Sequence, residues 1–154
     1  MIDSIRIRRA RPEDARGIAA VHVESWRSAY AGILPPDYLA HFTYEEQEQD
    51  WRGLLAEPGQ AALLIAEDDA GQVQGYCLFG PEKDGYLPGA GEIYALHIRQ
   101  ARQRQGIGQA LLRAAAAELR RQAGASLLIW VLSQNPARRF YEQLGGAWFA
   151  ARVI

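Results

Sequence analysis

Apolar and polar positions along this chain recur with a period that switches between two and about 3.6, and each switch marks an element. Ile5-Arg6-Ile7-Arg8 alternates strictly, as a half-exposed strand does. Arg11-Pro12-Glu13-Asp14 reads as a helix start, with proline near the first helical position and carboxylates where the helix dipole favours them. The helix that follows carries an apolar seam through Ala15, Ile18, Ala19, His22, Trp26, Ala29 and Tyr30 and ends near Gly32. Two further helical segments are expected over 37–42 and 44–56, stopped by Pro58-Gly59. Residues 61–67 and 72–79 read as antiparallel strands about a turn at 68–71, where Gly71 supplies the positive φ. Residues 80–91 hold two prolines and four glycines and form a loop.

The strongest pattern lies further on. Residues 92–98 form a short apolar strand rich in β-formers, followed by a polar loop over 99–105. Gly106-Ile107-Gly108 then opens a helix running to 123, with Gly124 as its cap. The continuous apolar run 127–132 reads as a strand buried on both faces. A strand–helix–strand crossover of this kind makes 92–98 and 127–132 parallel neighbours. Asn135-Pro136 opens a short helix over 137–144, stopped by Gly145-Gly146, and 147–153 reads as a last strand.

Length and composition narrow the class. The 154 residues suit one domain, 1–154, with a single sizeable core. A net charge of −1 gives no reason to expect nucleic acid or a membrane surface as partner. The lone Cys77 rules out an intrachain disulfide or a multi-cysteine metal site and agrees with a reducing cytoplasm; it reads as a small core residue. No apolar run approaches the ~20 residues of a membrane span, and the first residues lack the pattern of a signal peptide.

Candidate chemistry centres on residues 92–113. A strand, a polar loop with two close glycines and a helix start make an anion site, because the glycines admit a ligand close to the backbone and the free N–H groups point at it. Arg99, Arg102 and Arg104 add positive charge. The lysine of a P-loop is missing, and Leu111 stands where a dinucleotide fingerprint needs its third glycine.

Gln103-x-x-Gly106-x-Gly108 after a strand resembles the acetyl-CoA-binding motif of the GNAT superfamily of N-acetyltransferases. A second stretch, with Asn135, Phe140, Tyr141, Leu144 and Gly145, is similar to that family's downstream signature, although Gly146 stands where phenylalanine is common. The resemblance covers most of the chain. It implies an α/β fold with a mixed, centrally splayed sheet flanked by helices, and direct transfer of acetyl from acetyl-CoA to a primary amine of a small molecule. The arm of the cosubstrate would lie along Leu96, His97 and Ile98. Its pyrophosphate would meet Gln103, Arg104, Gln105, Gly106, Ile107, Gly108 and Gln109, where Arg104 replaces a common glycine. Asn135, Phe140 and Tyr141 would complete the cofactor site, with Tyr141 protonating the leaving thiolate. No metal is implied.

Several residues carry two readings. Glu92 is either the base or an exposed strand-end carboxylate. His97 is the alternative base; regular alternation puts it on the face opposite Glu92 unless a bulge in the strand, which the resemblance makes common, intervenes, and His22 is a third choice. His22, Trp26 and Tyr30 share a helix face at four-residue steps, so Trp26 and Tyr30 either fill the core or line an acceptor pocket, as the similar first-helix region of the family does. The acidic residues Glu45, Glu46, Glu48 and Asp50 form a solvated face or, less simply, a rim that attracts an amine. A non-catalytic acyl-CoA-binding module, or acetylation of a protein N-terminus or lysine, remains an alternative. The last strand is expected to leave an exposed sheet edge or to pair with a second subunit in a homodimer.

Overall fold

A computed structural model describes residues 4–41, 43–122, 126–131, 135 and 137–147. Its strands are β1 (Arg6–Arg9), β2 (Ala62–Glu67), β3 (Val73–Pro81), β4 (Gly91–Ile98) and β5 (Leu127–Ile129). Its helices are α1 (Ala15–Ala29), α2 (Pro36–Ala40), α3 (Tyr44–Ala56), α4 (Ile107–Gln122) and α5 (Ala137–Gln143). A 3-10 turn over Pro12–Asp14 leads into α1, so the proline and its carboxylates sit just ahead of the α-helix proper. Thr43 caps α3, its side chain accepting from the Glu46 N–H at 3.3 Å. The hairpin between β2 and β3 turns at Gly71, with φ of 78°.

The five strands lie in sequence order across one sheet. The first three pairings are antiparallel and β4 with β5 is parallel, as the crossover requires. The pleat of β2 sends Leu63 and Ile65 to one face, against α1 and α3, and Leu64 and Ala66 to the other, against α4. The first core gathers Ile18, Val21, Trp51 and Tyr76; the second gathers Cys77, Phe79, Ile93, Ile107, Leu111, Ala115 and Leu119. Cys77 is fully buried, and burial pushes its thiol up to about 12, as befits a core residue. The first strand is tied down at its charged positions. Arg8 forms a two-pronged bond to Asp14 and reaches Glu67, which also meets Arg6.

Two expectations change, and a third, the solvated acidic face, holds. Strand β3 runs on to Pro81 instead of ending at residue 79. Strand β5 spans only three residues, and it is not buried on both faces: Leu127 is exposed while Leu128 is buried. The acidic run of α3 is a solvated face, with Glu45, Glu46 and Asp50 exposed and Glu48 paired to Arg52 one turn on. The Gly124 cap, the end of the strand at 132, Pro136 and the last strand with its edge lie outside the described residues.

Candidate acetyl-transfer site

Strand β4 is paired on both sides only over its first three residues. Its bonds to β5 join Gly91 to Leu127, Glu92 to Leu128 and Ile93 to Ile129, and stop there. From Tyr94 to Ile98 the strand keeps β3 on one side and has no strand on the other among the described residues.

A bulge falls where the sheet opens. Leu78 pairs with Ala95 and Phe79 with Ile93, so Tyr94 is the extra residue. Gly80 makes room for it: a Cβ there would come within 2.7 Å of the Tyr94 hydroxyl. That hydroxyl donates to the Pro81 carbonyl. The bulge corrects the expectation from regular alternation. Ile93, Leu96 and Ile98 face the α4 core, whereas Ala95 faces the α1 core. One extra residue therefore brings His97 to the same face as Glu92. The His97 ring lies 6.0 Å from His22 and 5.5 Å from Tyr76. Burial lowers both histidines to about 4, and His22 Nδ1 shares a 2.7 Å hydrogen bond with the Tyr76 hydroxyl. Each imidazole is neutral at pH 7 and holds a proton no more tightly than a carboxylate does.

Glu92 is only 4% exposed, so it is not a strand-end carboxylate in solvent. Burial raises its pKa above the ordinary 4.5, and the Lys83 N–H, 3.4 Å from Oε1, draws it partly back. Lys83 belongs to the loop between β3 and β4, which closes on a second carboxylate. Glu82 accepts from the N–H of Asp84 at 2.5 Å, of Gly85 at 2.8 Å and of Leu87. Tyr86 of this loop packs edge-on against Trp130, just past β5, at 4.9 Å. The sequence reads residues 82–87 as part of a loop placed to cover the substrate mouth; the signal for their order is a glutamate two residues before the first N–H it holds.

At the other end of β4, the chain turns through Gln100–Arg102 into the glycine loop. Arg104 and Gly106 both take positive φ, 63° and 84°. The first backbone bond of the helix is Ala110 N–H to the Gly106 carbonyl, at 3.0 Å. The N–H groups of residues 104–109 donate to no acceptor among the described residues. Such a cluster at a helix start fits a phosphate or pyrophosphate. Gln103 and Ser25 side chains both donate to the Ile98 carbonyl, at 3.2 and 3.3 Å, fixing the strand end beneath the loop. Arg99 does not serve the anion site: its guanidinium donates to the Val73 carbonyl and pairs with Glu24 at 2.6 Å. Arg104 is exposed on the loop.

The second motif meets both the first motif and α1. Phe140 stands 3.5 Å from where a side chain on Gly108 would begin. Asn135 is buried and caps α5, its Oδ1 accepting from the Ala137 N–H at 2.9 Å; it also lies near the Tyr30 hydroxyl and offsets part of the rise that burial gives that phenol. Trp26 packs on Tyr30 at 4.4 Å and reaches Tyr38 at 6.3 Å, which makes Trp26 and Tyr30 part of an aromatic wall beside this motif. Burial, with Cys77 and Tyr30 nearby, pushes the Tyr141 hydroxyl well above its usual range, so it keeps its proton at neutral pH. Among the described residues, Glu92 and Tyr141 make no direct contact. No group of three or more metal-ligating side chains occurs among them either.

The model of the acetyltransferase (GNAT) family matches residues 22–146. An uncharacterized N-acetyltransferase of Bacillus subtilis, YuaI, is 40% identical over 141 residues, covering 90% of this chain and 78% of that protein. A probable N-acetyltransferase of Mycobacterium tuberculosis is 36% identical over 144 residues, covering 91% and 78%. The PaiA N-acetyltransferase of Thermoplasma acidophilum, solved in complex with coenzyme A, shares the fold: TM-score 0.73, 21% identity, covering 93% of this chain and 89% of that one. A GNAT-family acetyltransferase of Brucella melitensis, solved in complex with acetyl-CoA, superposes with TM-score 0.60 at 27% identity, covering 90% and 82%. The chain belongs to the acetyltransferase (GNAT) family.

Proposed function

We propose that this GNAT-family chain transfers the acetyl group of acetyl-CoA directly to a primary amine of a small molecule in the cytoplasm. The observation that carries the reading is the pairing of two open features on one strand: the edge of β4 past Ile93 and the unfilled N–H groups of residues 104–109 just beyond its end. Together they offer a groove for an extended arm and a seat for its pyrophosphate. The acetyl-CoA held by the Brucella melitensis relative supports the same ligand.

In this reading the backbone of Leu96, His97 and Ile98 binds the arm. Residues Gln103 to Gln109 hold the phosphates, and Asn135, Phe140 and Tyr141 close the other side. Acetyl-CoA supplies an acyl group already activated as a thioester. Glu92 takes a proton from the amine, because an ammonium has no lone pair; a raised pKa suits a base working nearer neutrality. Tyr141 gives a proton to the departing sulfur. Trp26 and Tyr30 line the acceptor pocket, and their aromatic wall supports a compact acceptor over an extended protein segment.

The test is thiol release from acetyl-CoA against a panel of amines, for wild type, Tyr141→Phe and Glu92→Gln. Turnover with one amine class, lowered by about 100-fold in each variant while coenzyme A still binds, is the expected result. Binding without turnover on a broad panel would replace the enzyme with an acyl-CoA-binding module.

A further inference from the structure

The chain has 17 basic residues, and only one of them, Lys83, is a lysine. That single side-chain amine is not scattered on the surface away from the site. Its backbone N–H donates to Glu92 Oε1 at 3.4 Å. Its Nζ stands 4.4 Å from the ring centroid of Tyr94, the bulge residue at which β4 parts from β5. The loop that carries it is held by the three N–H bonds to Glu82, so the lysine is presented to this spot by a fixed backbone.

We propose that Lys83 is a self-acetylation site: the enzyme transfers acetyl from acetyl-CoA to its own Lys83 Nζ within one molecule. The proposal rests on the acetyl-CoA-dependent transfer described above and adds an acceptor to it. Three requirements of an acceptor amine meet at Lys83. An aromatic face steadies the ammonium. A buried carboxylate, Glu92, lies close enough to feel the lysine's charge, and its Oε1 accepts from the Lys83 backbone N–H at 3.4 Å. The amine is tethered at the opening of the cleft, which replaces a bimolecular encounter with an intramolecular one. The bond formed joins Nζ to the acetyl carbon and the bond broken joins that carbon to sulfur. Of the two protons the ammonium loses, one leaves through Glu92 to solvent. The other restores Tyr141 after Tyr141 has protonated the sulfur. The product is N-acetyl-lysine and free coenzyme A. Loss of the positive charge removes the cation–ring contact with Tyr94 and the pull that the lysine exerts on the Glu92 pKa.

The experiment incubates the full chain with acetyl-CoA and no added amine, and follows it by intact mass and tryptic mapping, since acetylation blocks cleavage after Lys83. Wild type, Lys83→Arg and Tyr141→Phe are compared, with coenzyme A binding and amine turnover measured on the same preparations. Expected is one acetyl group on Lys83 in wild type, none at that position in Lys83→Arg, and at least about tenfold slower modification in Tyr141→Phe. The fraction modified per unit time should not depend on protein concentration. An unmodified Lys83 in a protein that binds coenzyme A and acetylates amines would overturn the proposal and leave the proposed function standing. Equal rates in wild type and Tyr141→Phe would mean simple chemical acetylation, and a rate rising with protein concentration would mean transfer between molecules; either defeats it. Failure to bind coenzyme A at all would instead defeat the function on which it rests.

Discussion

Two glycine-containing loops flank β4, and they solve the same backbone problem in opposite ways. In the loop before the strand, N–H groups of residues 84, 85 and 87 converge on a carboxylate supplied by the chain itself, Glu82. In the loop after it, the N–H groups of 104–109 converge on nothing in the described chain, and no acidic residue occurs between 99 and 117. Both loops need a left-handed glycine, Gly85 at φ 79° and Gly106 at 84°. The difference is a single charge. A loop that brings its own anion is closed by it, and a loop that lacks one keeps its N–H groups for the anion of the proposed cosubstrate.

The most damaging way to break this contrast is to give the open loop an anion. Glu82 serves the N–H groups two, three and five residues on, and Gln103 stands at the same spacing from residues 105, 106 and 108. Gln103→Glu should lower coenzyme A affinity on the order of 100-fold, since charge-assisted bonds of this kind contribute ~1.5–3 kcal/mol and 1.4 kcal/mol is about tenfold. The reverse change, Glu82→Gln, should leave that affinity alone and cut turnover about tenfold by loosening the segment that holds Lys83 against Glu92. Calorimetric titration and thiol release separate the two. Equal affinity in wild type and Gln103→Glu would show that the N–H groups are not the anion's seat.

Acid pH sharpens the contrast within the first loop. Glu82 and Glu92 shift in opposite directions from the same ordinary 4.5. The N–H bonds, led by that of Leu87, hold Glu82 low, and burial lifts Glu92. For Glu82 the stabilisation is present above the unfolded pKa and lost as pH falls through the depressed folded value. For Glu92 the sign reverses: its contribution is favourable below the unfolded pKa and lost as pH rises through the folded value. On acidification Glu92 therefore takes its proton first, while the loop is still anchored. The acid limb of kcat/KM should lie above 4.5 and vanish in Glu92→Gln. Amide exchange at 84, 85 and 87 should stay slow to lower pH. Loss of protection at the pH where activity falls would mean that one event drives both.

A smaller effect comes from the matched pair Gly85→Ala and Gly106→Ala. A Cβ at either position meets nothing within 4 Å, so the cost is the backbone's alone, about 1–2 kcal/mol for a left-handed alanine. Both variants should lose similar stability in denaturant unfolding. Only Gly106→Ala should also weaken coenzyme A, by about tenfold, because only there are the N–H groups proposed to hold the pyrophosphate.

How far the chain could be read follows from where each feature's cause lies. The strand–loop–helix about residues 92–122 was legible because its determinants are local: β-formers, then Gly106 and Gly108, then an Ala/Leu run. Asn135 and Tyr141 were legible as a motif, and the Asn135 cap is a property of its residue type. A bulge in this strand was implied by the family resemblance, but its place at Tyr94 was not legible. It is set by the register of β3 across the sheet and by the space Gly80 leaves, and neither shows in the local pattern of β4. His97 shares the Glu92 face for that reason alone. Arg99 was misjudged similarly: its charge reads as free for a phosphate, but Glu24, 75 positions earlier, reaches it through the packing of α1. Burial of Glu92 also comes from the loop folded over it, which depends on Glu82.

The smallest expected change is the most discriminating one. Arg104 takes a left-handed conformation, φ 63°, that costs an ordinary residue ~1–2 kcal/mol. Glycine would remove that strain, at an entropic cost of about 0.5–1 kcal/mol in the unfolded chain. Arg104→Gly should therefore raise stability slightly, by up to about 1 kcal/mol. It also deletes an exposed charge beside the N–H cluster without altering any N–H group. If the backbone carries the binding, coenzyme A affinity should fall only a few-fold at low ionic strength, and the gap should close in high salt, where exposed charges are screened. A collapse of binding that salt does not reduce would put the guanidinium, not the amides, at the centre of the site. The single-charge explanation of why one loop is closed and the other open would then have to be given up.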